Sequence, residues 1–295
     1  MPRASIDIGS NSLLLTVMGD DGAVLHDEAR VVGLGTGLGD KGMFLPERMA
    51  LAEQTLAEYA ATASQLGVEP RAILAVATSA ARRAMNAETF FARVARKHEI
   101  RIRIIDGEEE ARLSWLGTQE HLALPAGPCL VVDLGGGSTE LVNGRAKTVF
   151  SRVSLEIGSV RLTEALLADP VTPEALTRAR NHIEIELGRV NLLQPPLAVI
   201  GVAGTVTTLS AMALGLDTWD AERVQGSTLS ADALRVFISL LAQATPAGRE
   251  QLAAVSPQRA PYLLAGALIL ERVLDRVELP EMLVSARGLR FGLLV

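Results

Sequence analysis

A chain of 295 residues is long for one hydrophobic core, and two domains are expected. Aromatic residues make up only 3%, which argues against a stacking reader of single-stranded nucleic acid, and a net charge of −6 argues against a surface that grips a polyanion along its length. The one cysteine, Cys129, excludes an internal disulfide framework and reads as an inert thiol in a buried strand.

In chain order, "ASIDIGSNSLLLTVMGDDG" reads as strand, Gly/Ser turn, strand and a tight turn at Asp20–Gly22. "AVLHDEARVVGLG" reads as a third strand, and Gly33–Gly42 as a glycine-rich loop. Leu45, Met49, Leu56 and Tyr59 recur at helical spacing, which predicts a helix over Pro46–Leu66 ended by Gly67. "RAILAVATSAARRA" is a buried strand running into a helix, with residues 87–98 continuing as helix. "IRIRIIDGEEEARL" is a strand, a turn at Asp106–Gly107 and a helix from near Glu108. A short Pro/Gly break at Pro125–Pro128 marks the expected domain boundary.

The second half opens with "CLVVDLGGGSTELVNG", again strand, turn and strand, followed by a strand at "TVFSRVSLEIG" and a helix from about Pro173 to Val190. "PPLAVIGVAGTVTTLSAMALG" reads as a buried strand, a glycine turn at Gly201–Gly204 and a helix. The remainder from Ser230 is mostly helical, with a late strand at "EMLVSA". His26, His98, His121 and His182 lie far apart without ligand-type spacing, so no zinc site is expected. No signal region and no apolar run near ~20 residues is visible, which makes the cytoplasm the expected location and leaves no membrane partner.

An internal repeat organises the chain. "SIDIGSNSLLLTV" and "LVVDLGGGSTELV" share one plan: apolar strand, aspartate, apolar residue, glycine, two small residues, serine, apolar strand. Two similar α/β lobes facing one another would bring both turns to a shared cleft. Glycines 135, 136 and 137 allow a close backbone approach and positive φ, and successive N–H groups in such a turn form an anion-binding concavity. Ser138 and Thr139 add hydroxyls. An aspartate beside a phosphate repels it unless a divalent cation intervenes, and Mg²⁺ suits one or two carboxylates completed by water and phosphate oxygens. Asp133 and Glu140 would hold the metal side and the glycine turn the phosphate side. The bland alternative is a tight hairpin with a polar tip. The first copy, with Asp7, Gly9, Ser10, Asn11 and Ser12, repeats the chemistry and favours the functional reading.

Three further stretches carry open alternatives. Gly204 and Thr205 in "GVAGTVTT" open a helix, whose first N–H groups can bind an anion, or they form a close packing turn. Glu108, Glu109 and Glu110 complement a helix dipole, or one of them orients a water as a base. Arg82 and Arg83 follow a buried strand, where an arginine can hold a phosphate bidentately or simply be solvated.

Together "IDIGSNSLLL", "ATSAARRAMN", "DGEEEARL", "VVDLGGGSTELV", "GVAGTVTTL", "RAPYLLAGALILE" and "SARGLRFGLL" resemble the exopolyphosphatase and guanosine pentaphosphate phosphohydrolase (Ppx/GppA) family of the actin-like ATPase superfamily. The resemblance implies an α/β fold of two ribonuclease-H-like lobes around a central cleft: residues 1–124, residues 125–287, and a tail from about Gly288 packing back on the first lobe. It implies Mg²⁺-dependent release of terminal phosphate from inorganic polyphosphate, or of the 5′ γ-phosphate of guanosine pentaphosphate, with no nucleic-acid polymer as partner and a homodimer as a family property. Matched motif by motif, Glu110 is the water-activating base, and Asp133 and Glu140 are metal and water organisers, with Asp7 on the metal side. Ser10, Asn11, Ser12, Arg82, Gly135, Gly136, Gly137, Ser138, Thr139, Gly204 and Thr205 are the phosphate contacts. Two departures are visible. The helical C-terminal domains of longer members are missing, so short polyphosphate chains are expected to be favoured; and Gln225 stands where many members have a histidine before glycine. Two rival readings remain: a phosphotransferase of the same superfamily, and a non-catalytic sensor of polyphosphate or alarmone.

Overall fold

The computed structural model describes residues 1–119 and 122–295, so His121 lies outside the described residues. The chain divides into two compact units, one formed by Met1–Gly117 with Leu289–Val295, the other by Thr118–Gly288.

The first unit is built on a five-stranded sheet. Strands β1 (Arg3–Ile8), β2 (Ser12–Met18) and β3 (Val24–Val31) form an antiparallel meander, and β4 (Leu74–Ala77) and β5 (Ile102–Ile104) extend it in parallel beyond β1, in the order β3-β2-β1-β4-β5. Alternation does the sorting in β1: Ala4, Ile6 and Ile8 enter the core, and Asp7 is left only half-buried. Gly33–Gly42, expected as a loop, contains a one-turn helix α1 (Leu38–Lys41) set off by left-handed glycines at Gly37 (φ 69°) and Gly42 (φ 67°). Helix α2 (Pro46–Gln65) starts on a proline that has no N–H to lose and stops before Gly67, whose φ of 87° a side chain would resist. Its Tyr59 is buried and donates its hydroxyl to the Leu13 carbonyl at 2.9 Å.

Helices α3 (Ser79–Arg83) and α4 (Ala87–His98) are separate where one continuous helix was expected. Asn86 interrupts them because its side-chain amide brackets the Phe44 backbone, accepting from its N–H at 2.9 Å and donating to its carbonyl at 3.0 Å. Helix α5 (Gly107–Gln119) follows β5.

The second unit repeats the plan with an added edge. Its antiparallel meander is β6 (Cys129–Leu134), β7 (Thr139–Arg145) and β8 (Thr148–Leu155). Beyond β6 come parallel β9 (Ala198–Val202) and β11 (Glu281–Ser285), with antiparallel β10 (Thr228–Ser230) on the rim, giving the order β10-β11-β9-β6-β7-β8. Its helices are α6 (Ser159–Leu166), α7 (Pro173–Leu187), α8 (Gly204–Ala213), α9 (Ala221–Val224), α10 (Ala231–Gln243), α11 (Pro246–Glu250) and α12 (Leu263–Val277). Thr172, Ser230 and Thr245 each cap a helix start with a side-chain oxygen. Helix α12 is apolar nearly all round and is buried from Leu263 to Leu270, the pattern of a central core helix. Helix α6 and strand β10 were not anticipated.

The last helix, α13 (Leu289–Gly292), belongs to the first unit. Ser5 donates to the Arg290 carbonyl at 2.7 Å, and a Cβ on Gly292 would stand 1.9 Å from the Leu113 carbonyl oxygen, so only glycine fits there. Both sheets thus have the meander-plus-parallel order of a ribonuclease-H-like lobe. Cys129 is buried and unbridged, and burial pushes its thiol up, away from the reactive thiolate. Among the described residues no helix is long and apolar enough to cross a membrane.

Candidate functional site

The candidate residues fall at the carboxyl ends of parallel strands, where open α/β sheets bind ligands. Each unit has its own set.

In the first unit, β1 delivers Asp7 to the turn Gly9–Asn11, closed by a Gly9 N–H to Ser12 carbonyl bond of 2.9 Å. Neighbouring β4 runs into Thr78, whose N–H reaches the Ile8 carbonyl at 3.2 Å, and β5 ends beside it, with Ile105 N–H on the Ala77 carbonyl at 3.0 Å. Asp106 then starts α5 by accepting the Glu109 N–H at 2.8 Å. The three acids that follow separate cleanly. Glu108 is exposed. Glu109 pairs with Arg112 at 2.8 and 3.0 Å, and the Arg112 hydrogen bond holds its carboxyl below the usual glutamate range. Glu110 is buried, and Arg82 donates to its Oε2 at 2.6 Å. The same Arg82 Nη1 donates to the Ile105 carbonyl at 3.0 Å. Arg82, expected as a phosphate contact, is therefore also the residue that fixes the one buried acid of the triplet, a pairing that a separation of 28 positions along the chain concealed. Ser10 is buried, and Asn11 and Ser12 are half-buried at the same turn.

In the second unit, β6 carries Asp133 to the turn before β7, and Asp133 and Glu140 are direct partners in the antiparallel register. Both carboxylates therefore leave the ladder on one face. Glu140 is buried and its Oε1 accepts from Ser154 at 2.7 Å; Asp133 is half-buried. Like charges directly opposite one another destabilise a sheet unless something positive sits with them. Two hard carboxylates in this arrangement fit Mg²⁺, with water and phosphate oxygens as its remaining ligands. No group of three His, Cys, Asp or Glu side chains gathers among the described residues, so a wholly protein-made cage is not what this site offers.

The glycine turn corrects one expectation. None of Gly135, Gly136 and Gly137 takes the left-handed conformation. Their smallness serves close approach. Helix α6 starts under the turn, with Ser159 N–H on the Gly135 carbonyl at 3.0 Å and Val160 and Arg161 N–H on the Gly136 carbonyl at 2.9 and 3.0 Å. A Cβ on Gly158 would meet the Gly136 carbonyl group at 2.5 Å and the Gly137 nitrogen at 2.6 Å. Ser138 is buried in the turn. Thr139 is fully buried too, and its hydroxyl donates to the Ile157 carbonyl at 2.7 Å, which gives it a scaffold bond where a phosphate contact was expected.

Strand β9 lies beside β6, with Val202 opposite Asp133, and leads into Gly204 and Thr205 at the start of α8. Ala203 bridges them at φ 79°, ψ 176°, a conformation almost confined to glycine. The Arg259 guanidinium packs on Gly204 so closely that a Cβ there would stand 1.4 Å from Nη1. Strand β11 completes the row: Ser285 pairs with Val202, and a Cβ on Gly288 would lie 3.9 Å from Asp133 Oδ2. Gln225 accepts the Ala286 N–H at 2.8 Å and so pins the chain just before Gly288. Arg259, Gly158 and Gly288 went unrecognised in the sequence because each acts on a turn distant from it along the chain.

A sequence model of the Ppx/GppA phosphatase family matches residues 17–295. A protein named Exopolyphosphatase 2 from Mycobacterium tuberculosis is 36% identical over 312 residues, covering 98% of this chain and 96% of that one. A crystal structure of the Aquifex aeolicus member of the Ppx/GppA family superposes with a TM-score of 0.82 at 34% identity, covering 100% of this chain and 96% of that one. A structure described as an exopolyphosphatase from Cytophaga hutchinsonii gives a TM-score of 0.91 at 27% identity, covering 100% and 96%.

Proposed function

We propose, from the premise that the chain belongs to the Ppx/GppA phosphatase family, that this phosphoanhydride hydrolase is an exopolyphosphatase, dependent on Mg²⁺ and favouring short chains of inorganic polyphosphate. The observation that carries the reading is the placement of Asp133 opposite Glu140 at the mouth of a glycine turn. Asp133 and Glu140, with Asp7 as a further acid at the equivalent position of the first unit, are the residues that would hold Mg²⁺. When bound, the ion would neutralise charge on the phosphoryl oxygens.

The chain's own groups then have distinct tasks. Glu110, kept in one orientation by Arg82, accepts a hydrogen bond from the attacking water and aligns it with the terminal phosphorus. Ser10, Asn11 and Ser12 on one turn, and Gly135–Ser138 on the other, donate to phosphoryl oxygens as negative charge shifts toward the leaving phosphate. Arg82 adds its positive charge, and Gly204 and Thr205 present the first N–H groups of α8. A buried base held by an arginine is of use to a hydrolase and of none to a passive binder, which weighs against the sensor reading.

The test is phosphate release with Mg²⁺ from short polyphosphate, long polyphosphate, guanosine pentaphosphate and ATP at equal terminal-phosphate concentration. Fastest release from short polyphosphate is expected. Preference for guanosine pentaphosphate would replace the substrate assignment, and silence on all four would sink the hydrolase reading.

A further inference from the structure

Ser79 is the first residue of α3 and only 3% exposed, and its Oγ has no hydrogen-bond partner. Buried hydroxyls almost always find one. A serine inside a helix can fall back on the carbonyl four residues earlier. Here that carbonyl belongs to Ala75 in β4, a strand paired on both sides.

The Thr78 N–H to Ile8 carbonyl bond of 3.2 Å sets the start of α3 beside the end of β1. Gly35 is wedged at the same place: a Cβ on it would lie 3.1 Å from Ser10 Cβ and 3.3 Å from Ala80 Cβ, so one glycine separates the Ser10 turn from α3. On that turn Asn11 Oδ1 is a second buried polar atom without a partner. Rotating the Asn11 amide offers its NH₂ in place of the oxygen. Three residues beyond Ser79 lies Arg82, whose guanidinium holds Glu110. The turn and the start of α3 thus each carry a buried side-chain atom whose hydrogen bonding is unmet, and Arg82 follows Ser79 by three residues in the same helix. An anionic oxygen accepts from a hydroxyl, an amide and a guanidinium alike.

We propose that Ser79 is a further substrate-contacting residue, donating its hydroxyl to a phosphoryl oxygen that Asn11 also binds. This rests on the reading of the Ser10–Ser12 turn as a phosphate clamp. It adds a donor from "ATSAARRAMN", the stretch from which the resemblance took only Arg82.

Ser79→Ala separates this role from a structural one. Alanine removes an unsatisfied polar atom without adding volume, so the melting temperature is expected to hold or rise. Binding of a non-hydrolysable triphosphonate analogue, measured by calorimetry with Mg²⁺, is expected to weaken about tenfold, the size of a lost hydrogen bond to a charged group. The KM for short polyphosphate should rise by a similar factor. Unchanged analogue affinity in S79A, or a variant that melts lower or fails to fold, would overturn the proposal. Analogue binding by the wild type without phosphate release sinks only the hydrolase reading, and a wild type that neither binds nor releases sinks both.

Discussion

Arg82 holds Glu110 through a single nitrogen, donating at 2.6 Å to the carboxylate and at 3.0 Å to the Ile105 carbonyl, so the end of β5, the start of α5 and the short helix α3 are tied at one point. The two residues should therefore fail differently. Glu110→Gln keeps the volume and a hydrogen-bonding oxygen but loses the charge that orients water. A fall in kcat of about 100- to 10,000-fold is expected, with triphosphonate binding and melting temperature nearly unchanged. Arg82→Ala removes the guanidinium that hydrogen-bonds this buried carboxylate. It should cost roughly 2–3 kcal/mol of stability, at the low end for a buried pair because the Arg82 side chain keeps 21% of its exposure. Urea unfolding and steady-state kinetics on both variants check this. Wild-type turnover by E110Q would remove Glu110 from the chemistry.

Asp133 and Glu140 make a second prediction, about metal. Two acids opposite one another in a ladder repel, and a cation that binds only the folded state stabilises it by mass action. Mg²⁺ at about a hundred times its dissociation constant is expected to raise wild-type stability by about 2.7 kcal/mol. Asp133→Asn should lose that response and, in chelator, melt at or above the wild type, because the repulsion is gone. Thermal melts of both proteins with Mg²⁺ and with chelator measure it. A wild type indifferent to Mg²⁺ would leave the pair without its assigned ion.

How far the sequence carried these assignments depended on the range of the interaction. Strands β1, β2, β6 and β7 were legible because alternation and glycine punctuation are local signals. Asp133 and Glu140 were legible as a pair for the same reason, since a short turn sets their register. Helix α6 was missed because "GSVRLTEALL" offers neither a proline start nor a glycine stop, and its position is set by carbonyls of Gly135 and Gly136 more than twenty residues earlier. Of the two reasons expected for the glycines, positive φ is absent, and the close approach that is seen is Gly158 pressing on Gly136. The Arg82–Glu110 pairing and the Arg259 contact with Gly204 depend on tertiary placement, which no periodicity encodes.

Gly158 follows from that correction. A methyl group there would enter the space of the Gly136 carbonyl, which cannot yield without breaking the bonds from Val160 and Arg161. Gly158→Ala is expected to destabilise the protein by about 1–3 kcal/mol and to raise the KM for polyphosphate, because the turn carrying Ser138 must shift. Gly215→Ala is the control. Its φ of 64° makes it comparably strained, yet its Cβ position is open and it lies in neither set of candidate residues. Loss of stability in both with loss of affinity only in G158A is the expected pattern, and equal KM values for the two would detach the turn from substrate binding.

The last prediction concerns acid and the return of the chain end. Burial by itself would push the Asp27 carboxyl up. Hydrogen bonds from Arg290 Nε and Nη2, both at 2.8 Å, together with the Arg290 charge and the Thr16 hydroxyl at 2.7 Å, outweigh it and hold Asp27 below its ordinary 3.8. A carboxyl lowered in the folded state binds its proton more readily when unfolded. Its stabilising contribution is therefore complete above 3.8 and is lost as pH falls through the lowered folded value. Because Arg290 lies on α13, that contribution fastens residues 289–295 to the first sheet. Asp27→Asn is expected to be about 2 kcal/mol less stable than wild type near neutral pH. The gap should stay constant down to mildly acid conditions and close below 3.8, as the wild-type carboxyl becomes protonated and comes to resemble the amide. Paired urea titrations across the pH range give the gap directly. A gap as wide in strong acid as at neutrality would mean that shape at position 27, and not charge, anchors the C-terminal helix.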